Sequence, residues 1–219
     1  MNPRRRPPRR AGCAGFNILE LLVIAGIALI VIGMFLPAFS SVKTKAVGIQ
    51  CLNNQRQIAL AFNVWAGDNG NTYPMERAAG PTGLPLFTTA GTSFHYFQFL
   101  SNELANPKLL VCPDDRQPRL ATNFTSGMGA RSVDYLLSLN AQPTNSGMAL
   151  VGDRHLQITP LQTNGQIRLA ANQPFTWNPG RHGGLGYMAR TDGSAQRLPH
   201  QASLGVLGNH TGMNWLLFP

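Results

Sequence analysis

The feature that most constrains this chain is an apolar run over residues 16–36, in which Glu20 is the one charged residue. As a helix with a rise of about 1.5 Å per residue, the run reaches about 31 Å, which matches a hydrocarbon core of ~30 Å. An ordinary secretory signal has an apolar region of only ~7–15 residues. The run therefore predicts a transmembrane segment over 16–36.

Basic residues flank this run unequally. Five arginines lie within the first ten residues, and the whole chain carries 18 basic and 9 acidic residues. By the positive-inside rule, this excess places the N-terminus in the cytoplasm and the C-terminal bulk outside. Removal of the segment before the run would lower the net charge from +9 to +4. The basicity therefore indicates targeting, and nucleic acid is not an expected partner.

The junction between the basic leader and the apolar run has a specific arrangement. Gly15 closes the leader, Phe16 opens the run, Glu20 is the fifth residue after Gly15, and Pro37 ends the run. This arrangement resembles that of type IV prepilins and type II secretion pseudopilins. The resemblance implies cleavage after Gly15 by a prepilin peptidase, N-methylation of Phe16, and a filament in which the Glu20 carboxylate faces an N-terminal amine. An unpaired carboxylate that snorkels to the interface is the alternative.

The sequence after the run predicts further helix and then a separate head. Pro37 is expected to kink the helix, because proline removes a helix hydrogen bond. Helical periodicity then resumes, and Gly70 predicts the helix end. We therefore expect a leader over 1–15, a long helix over 16–70 and a head domain over 71–219. The apolar residues expected on one face of the outer helix are Ile49, Leu52, Ala59, Phe62 and Trp65.

The head contains short β-prone runs between many Gly, Pro and Asn residues. The most typical strands lie at 147–154, 166–170, 185–190 and 195–199, and residues 191–194 between the last two predict a hairpin turn. The expected fold is α+β and pilin-like. It has a long, kinked N-terminal transmembrane helix packed on an antiparallel β-sheet head.

A second pattern lies in the C-terminal part of the head. His182 is followed after nine residues by Asp192 and Gly193. Together with residues 51–74 and 109–115, this pattern resembles a large bacterial pseudopilin-like family with a C-terminal H-x9-D-G signature. Because His182 and Asp192 flank one predicted strand, we expect them to meet across the hairpin and to fix its turn by a hydrogen bond.

The chain has three cysteines, Cys13, Cys51 and Cys112. Cys13 would leave with the leader, so Cys51 and Cys112 would remain. A disulfide between these two residues and a pair of buried free thiols are both compatible with the sequence.

Residues with catalytic or metal-binding chemistry show no recognised spacing. The five histidines and the aspartates lack the close pairs of zinc motifs. No metal or other cofactor is therefore expected, although Ca²⁺ at Asp192 or at residues 68–71 stays an option. No hydrolase, P-loop or dinucleotide motif is present. Cys112 has no base beside it in sequence, so we expect no enzymatic activity.

These observations predict a structural subunit of a type IV pilus-like or type II secretion pseudopilus filament. The subunit would be a single-pass inner-membrane protein with its head outside the cytoplasm. Its partners would be prepilin peptidase and other pilin or pseudopilin subunits. The alternative function is a membrane-anchored binding module, similar to a minor pilin, whose head captures DNA, glycan or an exported substrate.

Overall fold

The computed structural model describes residue 15 and residues 17–77, 87–89, 91–115, 121–158, 165–207 and 214–219. Within these ranges, the side chains of 35–43, 206–207 and 214 are not described. The chain divides into two compact units, Met1–Lys43 and Thr44–Pro219.

Four α-helices lie in the described residues. Helix α1, Ile18–Asp68, begins in the first unit and ends in the second, and it continues through Pro37. The side chain of Pro37 lies outside those described, so the kink predicted there stays a prediction. Helix α1 ends where Gly70 adopts a φ of 71° and Asn71 a φ of 57°, a left-handed geometry that terminates helices. The other helices are α2 (Pro74–Arg77), α3 (Phe94–Phe99) and α4 (Ser101–Leu104).

One part of the expected fold class is wrong. Among the residues that the structure describes, no helix is both long enough and apolar enough to cross a membrane. A spanning helix needs about 20 consecutive apolar residues, and no helix meets that requirement within the described residues. The transmembrane segment predicted over 16–36 is corrected accordingly. The α+β class and the antiparallel sheet do agree with the structure.

The β-structure consists of two antiparallel sheets. The larger has six strands in the order β4-β9-β1-β2-β6-β7, and the smaller has three in the order β3-β5-β8. A register shift interrupts the β2–β6 pairing between Ala149 and Val151. The strands are β1 (Tyr135–Ser138), β2 (Ala149–Asp153), β3 (Leu156–Gln157), β4 (Gln166–Leu169), β5 (Pro174–Trp177), β6 (Gly186–Arg190), β7 (Ala195–Leu198), β8 (Gln201–Ser203) and β9 (Asn214–Leu217).

Four of these strands, β2, β4, β6 and β7, confirm the strands predicted from the sequence. The hairpin between β6 and β7 is also confirmed, since Arg190 N donates to Ser194 O at 2.8 Å. The remaining strands had weaker local signals. Strand β1 is buried at every position, so its side chains do not show the alternation of polar and apolar residues that marks a half-exposed strand.

The six-stranded sheet is the middle layer of the second unit. Successive side chains of a strand point to opposite faces, and β1 shows the consequence. Tyr135 and Leu137 join a core with the 51–66 part of α1 and with α3. Leu136 joins a second core that contains Phe175 and Trp177 of the smaller sheet. The second unit therefore has three layers, with α1 on one face of the large sheet and the small sheet on the other.

Candidate functional site

Four side chains that lie far apart in sequence meet inside the second unit. They are Cys51, Cys112, Asp153 and His182, which we call the Cys–Asp–His cluster. All four are buried, with exposed fractions of 0%, 1%, 1% and 4%. The two sulfurs, a carboxylate oxygen and an imidazole nitrogen all lie within 4.8 Å of one another. Among the described residues, this is the one group of His, Cys and acidic side chains close enough to share a metal ion.

Each member of the cluster comes from a different element. Cys51 lies on α1 and Asp153 is the last residue of β2. Cys112 follows a 3₁₀ turn at Pro107–Leu110, and His182 opens a second 3₁₀ turn, His182–Gly184, just before β6. Strands β2 and β6 are hydrogen-bonded neighbours, and Cys51 and Tyr187 of β6 belong to the same core. The cluster therefore lies where the helix layer meets the ends of two adjacent strands.

Asp153 is held by three donors. Its Oδ1 accepts hydrogen bonds from Gln55 Nε2 at 2.9 Å and from Cys51 Sγ at 3.3 Å. Its Oδ2 accepts one from Tyr187 N at 2.8 Å. Burial raises the pKa of Asp153 to about 7, because a low-dielectric interior disfavours the charged form. The three hydrogen bonds thus fix the carboxyl group in position. Because their donors are neutral, they compensate its negative charge only in part.

His182 reaches the cluster from an unusual backbone conformation. It has a φ of 47°, and Gly183 and Gly184 follow with 66° and 81°. Left-handed geometry is uncommon for a residue with a side chain, and such residues concentrate at functional sites. His182 N donates to Asp114 Oδ2 at 2.8 Å, which holds the turn. The sequence signal at this position is the Gly-Gly pair that lets the chain turn immediately after the histidine.

The imidazole of His182 faces two members of the cluster. Its Nε2 lies 3.1 Å from Cys112 Sγ and 4.0 Å from Asp153 Oδ2. Its Nδ1 lies 3.6 Å from Asp114 Oδ2, which is beyond hydrogen-bonding distance. Burial lowers the pKa of His182, but the contact with Cys112 and the charge of Asp153 outweigh it, so the pKa is raised.

The two thiols differ in electrostatics. The hydrogen bond from Cys51 and the contact with His182 lower the pKa of Cys112 to about 5, although burial opposes them. Burial raises the pKa of Cys51 well above its ordinary value, and Tyr135 Oη lies 3.4 Å from its sulfur. Of the two sulfurs, Cys112 is therefore the one whose surroundings favour the thiolate, and those of Cys51 favour the thiol.

This geometry bears on two expectations for the cysteines. Both thiols are free and buried, and they belong to one cluster, so the disulfide predicted between Cys51 and Cys112 stays a prediction. His182 supplies the base that Cys112 lacks in sequence. Cys112 is only 1% exposed, however, which keeps a substrate-sized group from its sulfur. The site can exchange protons or hold an ion more readily than it can attack a substrate.

A layer of ion pairs surrounds the cluster. Asp134 Oδ2 accepts a hydrogen bond from Cys112 N at 3.0 Å, and its Oδ1 pairs with Arg154 at 2.9 Å. Asp115 pairs with Arg181 at 2.7 Å. Burial, together with a hydrogen bond to the Asp115 carboxyl, raises the pKa of Asp134 to about 7. These contacts fix the loop that carries Cys112 against the end of the sheet.

The three residues of the predicted signature separate into two places. His182 belongs to the cluster, whereas Asp192 and Gly193 lie at the other end of β6. Asp192 Oδ1 accepts a hydrogen bond from Ser194 N at 2.8 Å. Gly193 has a φ of 79°, and a Cβ there would come within 2.9 Å of Leu60 Cδ2 on α1. The hydrogen bond expected between His182 and Asp192 is therefore corrected, because a whole strand lies between them.

The predicted processing residues lie in the first unit. Gly15 is exposed, and Glu20 is exposed in the first turn of α1. Asn17 Oδ1 accepts a hydrogen bond from Leu19 N at 3.4 Å, as a helix-capping side chain does. Phe16 lies outside the described residues. Their proposed roles in cleavage and methylation stay predictions.

Sequence reasoning missed the cluster as a unit. The sequence singled out Cys51 and Cys112 as a pair, and it singled out His182 as part of the H-x9-D-G signature. Zinc motifs are recognised by close spacing of their ligands, whereas the four residues of the cluster are tens of residues apart. The calcium option gains no support from the cluster, to which neither Asp68 nor Asp192 belongs.

No protein-family model matches this sequence, and no curated protein or solved structure is significantly similar to it. The resemblance to type IV prepilins and pseudopilins therefore rests on sequence patterns alone: the leader, the apolar run and Pro37, the segments 51–74 and 109–115, and the signature residues.

Proposed function

We propose that this chain is the structural subunit of a helical filament of the type IV pilus or secretion pseudopilus kind. In this proposal, a prepilin peptidase cleaves after Gly15 and the new N-terminal Phe16 is methylated. The assembly forms through the N-terminal part of α1, and the second unit decorates its surface.

The observation that carries this proposal is the exposed apolar surface of α1 over residues 18–34. Ile18, Leu22, Leu29 and Met34 have exposed fractions of 81%, 72%, 71% and 76%. Apart from Glu20, their neighbours on every side of the helix are exposed and apolar as well. Burial of apolar surface contributes about 25 cal/mol per Å², and contiguous apolar patches of this kind mark interaction sites. Packing of the same segment from several copies would cover all faces of the helix at once.

Glu20 has a specific role in this proposal. It is the one charged residue in the exposed apolar segment, so its burial between copies requires a partner of opposite charge. The N-terminal amine of Phe16 in a neighbouring copy would be that partner. Such a pair fixes the axial register between copies, because a one-step slip would leave the carboxylate unpaired in an apolar interface.

The test is assembly of a Glu20→Ala variant expressed together with a prepilin peptidase. We expect this variant to accumulate as a cleaved but unassembled subunit. Glu76→Ala is the matched control, because Glu76 is an exposed carboxylate on α2, and it should assemble normally. Electron microscopy and the mass of the mature N-terminus report the two results. Normal filaments from Glu20→Ala, or filaments whose subunits retain Met1, would contradict the proposal.

A further inference from the structure

The four donor atoms of the Cys–Asp–His cluster lie within 4.8 Å of one another, which is close to the size of a metal coordination site. Zinc binds sulfur at about 2.3 Å and imidazole nitrogen or carboxylate oxygen at about 2.0–2.2 Å, so the edges of a tetrahedral site are about 3.3–3.8 Å. Cys51 Sγ lies 3.3 Å from Asp153 Oδ1, and Cys112 Sγ lies 3.1 Å from His182 Nε2. His182 Nε2 and the other oxygen of Asp153, Oδ2, are 4.0 Å apart. Binding of an ion would require the ligands to adjust so that one Asp153 oxygen completes the tetrahedron.

We propose that Cys51, Cys112, Asp153 and His182 bind one zinc ion in a closed, structural site. Four protein ligands leave no open position for water or substrate, which is the arrangement of structural rather than catalytic zinc. Two thiolates, one imidazole and one carboxylate form a donor set that suits zinc better than calcium or magnesium, which prefer oxygen ligands. Binding displaces the proton of Cys51 and that of Asp153 where it is protonated, and it leaves His182 neutral.

The charges of the cluster favour a cation at its centre. One buried carboxyl group and two buried sulfurs face a single imidazole, and the ion pairs of the described residues join no lysine or arginine to any of the four. Buried charges in proteins are paired or coordinate a metal. A divalent ion would balance the charge of two coordinating thiolates and would also attract the Asp153 carboxylate.

The outer contacts orient the ligands as those of a metal site do. Gln55 and the backbone N–H of Tyr187 hold both oxygens of Asp153, at 2.9 Å and 2.8 Å. The carboxylate of Asp114 lies on the Nδ1 side of His182, at 3.6 Å. In metal sites, the second nitrogen of a ligating histidine commonly faces a carboxylate, which directs the other nitrogen at the ion. The buried Nδ1 of His182 has no hydrogen-bond partner, and a small closure of this gap would supply one.

A surface pocket lies beside the cluster. Its lining includes Cys112 and Pro113, Gln50 and Asn54 of α1, and Asp115. An ion that binds the four residues would approach them from this side of the second unit.

The positions of Asp153 and His182 distinguish a metal site from a disulfide. A bond between Cys51 and Cys112 would need neither an acid nor an imidazole beside it. Here the Asp153 carboxylate accepts from one sulfur and the His182 imidazole contacts the other. Donor atoms of all four residues lie within 4.8 Å of one another, and such proximity is what a shared metal ion requires.

The test is metal binding by the full chain under reducing conditions, after treatment with a chelator and its removal. We expect one zinc per chain by elemental analysis. Cobalt(II) should give the intense visible absorption and the sulfur charge-transfer band of a tetrahedral thiolate site. Cys112→Ser and His182→Ala should each lose the bound metal. His95→Gln is the matched control, because it removes an imidazole outside the cluster, and this variant should retain one zinc.

The cobalt spectrum of the unaltered chain keeps the proposal falsifiable even if a ligand variant fails to fold. A full chain that is folded by circular dichroism but takes up neither zinc nor cobalt overturns the site. Zinc that remains bound in both Cys112→Ser and His182→Ala overturns it as well. These outcomes do not depend on filament assembly, so they are independent of the proposed function.

Discussion

At the scale of single residues, two polar side chains on the buried face of α1 explain how the cluster is held. Asn54 and Gln55 have exposed fractions of 8% and 0%. Asn54 Nδ2 donates to Val111 O at 3.4 Å, in the loop that carries Cys112, and Gln55 Nε2 donates to Asp153. A buried donor without a partner costs about 1–3 kcal/mol. Both amides therefore connect the helix specifically to the two chain segments that supply cluster ligands.

A glycine in β6 makes a prediction at the same scale. A Cβ on Gly186 would overlap the indole ring of Trp177, which is 1% exposed. We expect Gly186→Ala to lower the free energy of unfolding by about 1–3 kcal/mol, as overpacking does. Urea denaturation of the purified chain measures the change.

The matched control is Gly67→Ala. Gly67 lies in the last turn of α1, and nothing within 4 Å would meet its Cβ. Alanine is the better helix former by about 1 kcal/mol, so this variant should be as stable as the unaltered chain or more stable. A Gly186→Ala chain of unchanged stability would show that Trp177 can move aside.

At the scale of elements, the outer part of α1 is defined by a buried stripe. Its positions recur at intervals of three or four residues, as expected for one face of a helix. Phe62 and Trp65 were correctly placed on this face, but Ile49 is 58% exposed. The stripe also contains Cys51 and Gln55, which the prediction from apolar side chains did not include. The buried face consists of Cys51, Asn54, Gln55, Ile58, Ala59, Ala61, Phe62, Trp65 and Ala66.

The stripe makes a prediction about how α1 is attached to the rest of the second unit. Phe62 is fully buried, and its ring packs edge-on against Tyr73 at 5.6 Å and Phe97 at 6.0 Å. We expect Phe62→Ala to lower the free energy of unfolding by about 3–5 kcal/mol, since it removes the transfer free energy and leaves a cavity.

Val64→Ala is the control for this substitution. Val64 lies two residues further along the same helix and is 57% exposed, so its truncation should change stability by less than about 0.5 kcal/mol. Thermal unfolding followed by circular dichroism distinguishes the two. Equal, small effects would mean that α1 does not pack on the sheet through Phe62.

At the scale of the whole molecule, burial controls the ionisation of the tyrosines. The chain has four, Tyr73, Tyr96, Tyr135 and Tyr187. Burial raises the pKa of every one of them. Unfolded tyrosine ionises near pH 10. Above that pH the unfolded chain loses phenolic protons that the folded chain retains, so the free energy of unfolding falls as pH rises.

We therefore expect an ultraviolet titration of the folded chain to show no tyrosinate near pH 10. Ionisation should begin only at higher pH, together with the loss of the far-ultraviolet circular dichroism. The chain in concentrated urea is the control, and its four tyrosines should titrate near their ordinary pKa. Ionisation of a native chain near pH 10 would show that the phenols are more accessible than the packing indicates.

Local sequence signals predicted part of this architecture because their physical causes are local. Strands β2, β4, β6 and β7 and the hairpin at 191–194 depend on β-prone side chains and on a turn residue, Gly193, with positive φ. The transmembrane segment was also predicted from a local signal, the number of consecutive apolar residues, and this prediction was wrong for the described residues. Strand β1 was missed because it is buried on both faces and so lacks a periodic pattern. The strands of the small sheet do alternate, but they have only two, four and three residues, which is too short for the alternation to be recognised.

By itself, the sequence determined the apolar segment at 16–36, the charged Glu20 within it, and the strands with strong local propensity. Only the tertiary structure decided which residues form the candidate site. Cys51, Cys112, Asp153 and His182 come from a helix, a loop, a strand end and a 3₁₀ turn, and no spacing along the chain indicates that they meet. Their convergence depends on the pairing of β2 with β6 and on the face that α1 presents to the sheet. Those are long-range contacts, and the free energy that selects them belongs to the packed core rather than to any one segment.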